Sequence, residues 1–422
     1  MDIINTYGLV LIVVAAAVGF LMAWGVGAND VANAMGTSVG SKALTIKQAI
    51  FIAMIFEFAG AYLAGGEVTA TIRKGIIDSA YFIDTPELLV FGMIAALLSA
   101  GIWLAVASYL GWPVSTTHSI IGAIVGFAAV GVSADSVEWA KVGGIVGSWV
   151  ITPAISGTIA YLIFMSAQKL IFDTDKPFKS AKRYVPFYMA LAGFVMVLVT
   201  IKKGLKHVGL EIGTMDGYLI SIGVAVGVGI LGRLYINRIK FDESLDRSMH
   251  YTNVEKIFAI LMVVTACCMA FAHGSNDVAN AIGPLAAVVS VVNNGGEIVA
   301  KTPLVWWILP LGAFGIVSGL ALFGHRVIRT IGKGITHLTP SRGFAAELAA
   351  ASTVVIASGS GLPISTTQTL VGAVLGVGMA RGIAALNLGV VRNIVVSWII
   401  TLPAGAALSI VFFYILKAVF VV

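Results

Sequence analysis

The stretch Gly27-Ala-Asn-Asp-Val-Ala-Asn-Ala-Met-Gly36 returns almost letter for letter as Gly274-Ser-Asn-Asp-Val-Ala-Asn-Ala-Ile-Gly283. Each copy closes a long apolar run. Each puts a carboxylate, Asp30 or Asp277, among residues suited to lipid. A carboxylate inside a bilayer is expensive and usually marks an ion or substrate path. Two copies about 250 residues apart predict two halves on one plan with a site between them.

The composition agrees. The chain has 422 residues, of which 59% are hydrophobic and 11% charged, with a mean hydropathy of +0.98. A soluble domain carries roughly 25% charged residues, so this is a polytopic membrane protein without a large soluble domain. The 48 glycines suit close helix packing and broken helices. The net charge of +6 does not point to nucleic acid, because the basic residues sit in short loops between apolar spans. Cys267 and Cys268 are adjacent and cannot staple distant segments. The first apolar run lacks a basic leader and exceeds a signal-peptide core, so it reads as a retained helix.

Measured against about 20 residues per crossing, spans are expected at 5–28, 46–66, 86–110, 119–134, 142–166, 184–202, 217–233, 256–273, 303–323, 344–358 and 369–380, with a last one from near 390. Breakers interrupt this series twice, at Gly111-Trp-Pro-Val-Ser-Thr-Thr-His118 and Gly361-Leu-Pro-Ile-Ser-Thr-Thr-Gln368. Ile121-Gly-Ala-Ile-Val-Gly126 matches Val371-Gly-Ala-Val-Leu-Gly376, and Ser148-Trp-Val-Ile-Thr152 matches Ser397-Trp-Ile-Ile-Thr401. The predicted architecture is all-α, with about 12 transmembrane segments in two repeats. The first repeat covers 1–168, a linker with two helices and a short loop covers 169–255, and the second repeat covers 256–422. Seven segments precede the second repeat, so the repeats face opposite ways. The short runs after each Ser-Thr-Thr read either as crossings or as re-entrant hairpins. With the N-terminus outside, the loops assigned to the cytoplasm hold 18 of the 26 Lys and Arg, which predicts N-out and C-out.

Asn29 and Asn33 lie four apart, on one helix face beside Asp30, as Asn276 and Asn280 do beside Asp277. A carboxylate with amide oxygens, joined by carbonyls from an unwound turn at Gly25, Gly27, Gly36, Gly274 and Gly283, suits Na⁺. The alternative is interhelical hydrogen-bonding glue. Pro113 and Pro363 precede hydroxyls that read as helix starts. A helix N-terminus offers free N–H groups and a positive dipole end. Ser115, Thr116 and Thr117 with Ser365, Thr366 and Thr367 would clamp a tetrahedral oxyanion from two sides, the alternative being plain capping. Neither motif holds Lys or Arg, so cations must arrive with the anion, at Asp30 and Asp277.

The repeated GANDVANA and GSNDVANA motifs, with their paired Ser-Thr-Thr segments, resemble the signature of the PiT family of inorganic phosphate transporters, over nearly the whole chain. The resemblance implies an inverted-repeat membrane protein that takes up phosphate with sodium and forms homodimers. Phosphate is then assigned to Ser115, Thr116, Thr117, Ser365, Thr366, Thr367, Asn29 and Asn276. Sodium, as a co-transported ligand and not a cofactor, goes to Asp30, Asn33, Asp277 and Asn280. The loop near 234–255 is short, as in a prokaryotic member, which implies a cell-membrane protein.

Some residues break the symmetry. His118 stands where the second repeat has Gln368, and reads as a proton-coupling group or as a packing histidine. Glu57 and Glu347 lack acidic counterparts and read as coupling sites, dimer contacts or interior hydrogen-bonding groups. Arg73, Lys74 and Lys333 read as solvated or headgroup-facing. The expected function is sodium-driven phosphate import by alternating access. The nearest alternative is a proton-coupled phosphate or sulfate permease of the same fold. A hydrolase built on Ser115 and His118 lacks a third orienting group, and a passive channel does not need two buried carboxylates beside its anion.

Overall fold

A computed structural model describes residues 2–201, 212–241, 251–299, 303–331, 338–382 and 387–420. Among these residues there are thirteen α-helices: α1 (Asp2–Gly40), α2 (Ile46–Ala64), α3 (Gly66–Lys74), α4 (Pro86–Leu110), α5 (Thr116–Gly131), α6 (Trp139–Ala167), α7 (Pro177–Val199), α8 (Thr214–Asn237), α9 (Tyr251–Asn293), α10 (Ile308–Ile331), α11 (Pro340–Gly359), α12 (Thr366–Ala380) and α13 (Leu388–Val419). Nine of the described helices are long and apolar enough to cross a membrane. Each of the twelve expected spans contains a helix. The short α3 is an addition that the hydropathy pattern does not announce.

The two Asn-Asp motifs do not unwind. Each lies inside one continuous helix, of 39 residues in α1 and 43 in α9. Their glycines serve close approach instead. A Cβ on Gly27 would lie 1.9 Å from the Ile316 carbonyl oxygen, and one on Gly274 would lie 2.2 Å from that of Glu57. The backbones of α1 and α10, and of α9 and α2, meet there with no room for a side chain.

These contacts set a register between the repeats. Gly60 closes on the Phe271 carbonyl and Gly319 on that of Trp24, so α2 and α10 are equivalent, as are α1 and α9. Gly372 closes on Pro153 and Gly122 on Leu402, which makes α6 and α13 partners of α12 and α5. Every one of these contacts joins one repeat to the other. The repeats interlock around a pseudo-two-fold axis.

The breaks have a local cause. Gly111 and Gly361 sit in the left-handed region, at φ +69° and +70°, just past α4 and α11. Ser115 and Ser365 then cap α5 and α12 by accepting the backbone N–H of His118 and of Gln368. The chain folds back at the first break, so that Gly92 of α4 lies against the Phe127 ring of α5. With 16 residues α5 spans about 24 Å, short of the roughly 30 Å hydrocarbon core. The two breaks touch: Thr117 donates to the Ile364 carbonyl at 2.9 Å, and Thr367 lies 3.5 Å from that of Val114. The short helices are therefore arms of two hairpins that meet tip to tip.

Arg73 is not solvated. It is buried on α3, and its guanidinium donates to Ser290 of α9 at 3.0 Å. Lys333 lies outside the described residues, as do parts of the basic loops between 233 and 256 and between 326 and 342.

Candidate functional site

The hairpin tips bring the hydroxyl motifs to the Asn-Asp motifs. Thr116 donates to Asp30 at 2.7 Å, and Thr366 donates to Asp277 at 2.7 Å. Asn33 donates to Thr367 at 2.7 Å and to Asp30 at 3.2 Å. Asn280 donates to Thr116 and Thr117, both at 3.2 Å. Each asparagine thus reaches from its own repeat to the other repeat's hairpin. All of these side chains are buried, as are Ser115 and Ser365.

Asn29 and Asn276 hold the tips. Asn29 donates to the Trp112 carbonyl at 2.9 Å and accepts the Val114 N–H at 3.2 Å. Asn276 bonds Ser358 at 3.0 Å, and the amide orientation that satisfies all neighbours turns its nitrogen to Asp277 and to the Ile364 carbonyl, both at 3.1 Å. The amide of Asn29 is thus committed to the hairpin backbone.

Two helix N-termini now face one centre. The first N–H groups of α5 and α12 have no partner within their own helices. Both dipoles point their positive ends inward, beside two carboxylates. Donors for an anion and oxygen ligands for cations are therefore adjacent. Asp30, Asp277 and His273 each present one ligand atom, all within 4.8 Å of one another.

His273 went unassigned in the sequence. It stands directly before the second motif, where the first has Val26. Its Nε2 lies 3.0 Å from Asp277 and its Nδ1 3.2 Å from Glu57. Glu57 thus sits beside the site and has a basic neighbour. The register set by Gly27 and Gly274 puts Ile316 opposite Glu57. One half of the molecule carries a buried Glu–His pair where the other carries Ile316 and Val26. The only advance signal was a histidine adjoining a repeated motif at an apolar position.

Glu347 of α11 is caged by hydroxyls. Thr37 and Ser38 each donate to one oxygen at 2.5 Å, and Thr265 donates to the other at 2.6 Å. His118 stacks on Trp149 with ring centroids 3.7 Å apart, and its Nδ1 is 3.3 Å from the Trp398 carbonyl.

Comparison with known proteins bears on this arrangement. The model of the phosphate transporter family matches residues 26–409. A Haemophilus influenzae protein named "Putative phosphate permease" is 58% identical over 420 residues, covering 100% of both chains. An Arabidopsis thaliana chloroplastic inorganic phosphate transporter 2-1 is 42% identical, over 94% of this chain and 70% of the relative. A solved structure described as the sodium-dependent phosphate transporter superposes with a TM-score of 0.89 at 40% identity, covering 97% of this chain and 99% of its own.

Proposed function

Since the chain belongs to the phosphate transporter family, we propose that it imports inorganic phosphate by symport with sodium. The observation that carries the reading is the pairing of each hairpin threonine with a motif aspartate, Thr116 with Asp30 and Thr366 with Asp277. Phosphate binds between the N-termini of α5 and α12. Their N–H groups donate to its oxygens with the Ser115 and Ser365 hydroxyls, and the hydroxyls of Thr116, Thr117, Thr366 and Thr367 do so on turning from the Asp30, Ile364, Asp277 and Val114 acceptors they face here. Sodium ions bind Asp30 and Asp277, helped by Asn33 and Asn280. They offset the anion's charge in a medium where an unpaired charge is costly. The hairpins and the helices they bridge then present the loaded site to the other face.

Sodium is favoured over protons by the oxygen-rich donor set. The solved relative at 40% identity is described as sodium-dependent, which supports the same ion here. Phosphate is favoured over sulfate because a protonated phosphate donates a hydrogen bond that a carboxylate accepts. The charge bias of the loops supports N-out and C-out, since neither hairpin tip contains Lys or Arg and the hairpins leave every other loop on its expected side. A homodimer in the cell membrane is part of the same reading.

Radiolabelled phosphate uptake into proteoliposomes tests it. Uptake that requires an inward sodium gradient and ignores excess sulfate supports the proposal. Uptake driven equally by protons, or blocked by sulfate, replaces the ion or the cargo.

A further inference from the structure

The interlocked register permits a comparison of the two approaches to the site, one for each repeat. On one, a small cavity is lined by Glu67, Thr200, Ser275 and Ser358 together with Ala64, Gly359 and the apolar Val199 and Val355. Ser358 bonds Asn276, and Asn276 adjoins Asp277. A polar line therefore runs inward from half-buried Glu67 through Ser358 and Asn276 to the carboxylate.

The equivalent positions on the other side carry larger side chains. Gly60 corresponds to Gly319. Four residues further on, Ala64 corresponds to Phe323, and Glu67 falls at the sequence position of Arg326. Counting back from the left-handed Gly361 and Gly111, Gly359 corresponds to Tyr109. Ser275 corresponds to Ala28. The large residues pack together. Phe323 meets Trp24 edge to face at 5.2 Å, and the Arg326 guanidinium lies 5.0 Å from the Phe323 ring and 5.5 Å from that of Tyr109. Where one approach has alanine, glycine and glutamate, the other has phenylalanine, tyrosine and arginine.

We propose that the Glu67 approach is the cation entry to the site, with Glu67 as its selecting residue, and that the Arg326, Tyr109 and Phe323 cluster closes the opposite approach in this conformation. A single carboxylate at the mouth of a narrow, low-dielectric path raises the local concentration of cations and lowers that of anions. Ser275 and Ser358 replace part of the water shell with hydroxyl oxygens. This inference rests on the reading of Asp277 as a sodium ligand.

The test uses single cysteines in the full chain with Cys267→Ala and Cys268→Ala. Ala64→Cys, Thr200→Cys and Phe323→Cys are treated with cationic and anionic methanethiosulfonates, and rates are divided by those with a free thiol. The normalised rate at Ala64→Cys is expected to favour the cation about tenfold, and Glu67→Gln is expected to remove the preference. Phe323→Cys is expected to react about tenfold more slowly than Ala64→Cys with the cationic reagent. Should Ala64→Cys fail to fold, Thr200→Cys reads the same cavity with a near-isosteric change. Glu67→Gln is also expected to raise the sodium concentration for half-maximal uptake severalfold while sparing the maximal rate. Equal reactivity at Ala64→Cys and Phe323→Cys, or a charge preference that survives Glu67→Gln, overturns the proposal. Uptake that needs no sodium defeats the symport reading instead, and leaves the labelling result to be read separately.

Discussion

Thr116 gives its hydroxyl proton to Asp30 across 2.7 Å, and that bond ties a hairpin of the first repeat to the C-terminal third of α1. Its counterpart from Thr366 to Asp277 has the same length. Bonds to a carboxylate are about twice as strong as neutral ones.

Removing one of these hydroxyls should therefore separate affinity from folding. Thr116→Val is expected to raise the phosphate and sodium concentrations for half-maximal uptake by about tenfold, the worth of one charge-assisted bond of ~1.5 kcal/mol. Thr116→Ser should restore most of the loss. Asp30→Asn and Asp277→Asn should abolish sodium-coupled uptake while the protein still reaches the membrane. Full coupled uptake in either aspartate variant would remove that carboxylate from the mechanism.

The glycines of the motifs give a purely structural prediction. A Cβ at Gly27 would overlap the Ile316 carbonyl at 1.9 Å, and the obstacle is backbone, which cannot rotate away. Gly27→Ala and Gly274→Ala should destabilise the protein by about 1–3 kcal/mol or more. Gly143→Ala, where a Cβ meets nothing within 4 Å, is the control. Thermal unfolding in detergent reads the difference. An unchanged midpoint for Gly27→Ala would mean that α1 and α10 are further apart than described.

These glycines also mark the limit of what the sequence disclosed. Helix positions followed from hydropathy, and the starts of the two short helices followed from Pro113, Pro363 and the capping serines, because both signals are local; whether those helices cross or fold back was left open. Glycine in a membrane helix is ambiguous. The same residue permits an unwound turn or a close helix contact, and only the partner's backbone decides. Ile316 and Glu57 are that partner here, and they lie far away in the chain. Arg73 misled for a similar reason. It reads as a loop cation until α3 folds back against α9 and presents Ser290 to it. His273 and Glu57 are 216 positions apart, and no periodicity connects them.

Glu347 tests how hydroxyl donors keep a buried carboxylate. Three hydroxyls, from Thr37, Ser38 and Thr265, donate to it. Glu347→Leu would strand the Thr37 and Ser38 hydroxyls, at roughly 1–3 kcal/mol for each one left unsatisfied, while Thr265 keeps the Met262 carbonyl at 3.2 Å. Glu347→Gln keeps one carbonyl acceptor and should lose less. The expected order of unfolding midpoints is wild type, then Glu347→Gln, then Glu347→Leu. Thr265→Val should cost about 1 kcal/mol and leave the other two bonds in place.

The pair of Glu57 and His273 allows a test in which the molecule supplies its own control. The equivalent positions in the other half carry Ile316 and Val26. Breaking a buried pair by removing one partner costs about 3–5 kcal/mol, because the survivor is left uncompensated, whereas replacing both with apolar residues is often neutral. Glu57→Ile alone and His273→Val alone should therefore be strongly destabilised. The double variant, which copies the other half, should recover most of the stability. Transport should not recover with it, because Nε2 of His273 lies 3.0 Å from Asp277 and orients that carboxylate. Unfolding midpoints and sodium-coupled uptake for the four proteins of the cycle separate the two effects. If the double variant transports normally, the pair is only packing. If it stays as unstable as the singles, the two sides of the molecule are less alike than their glycine contacts imply.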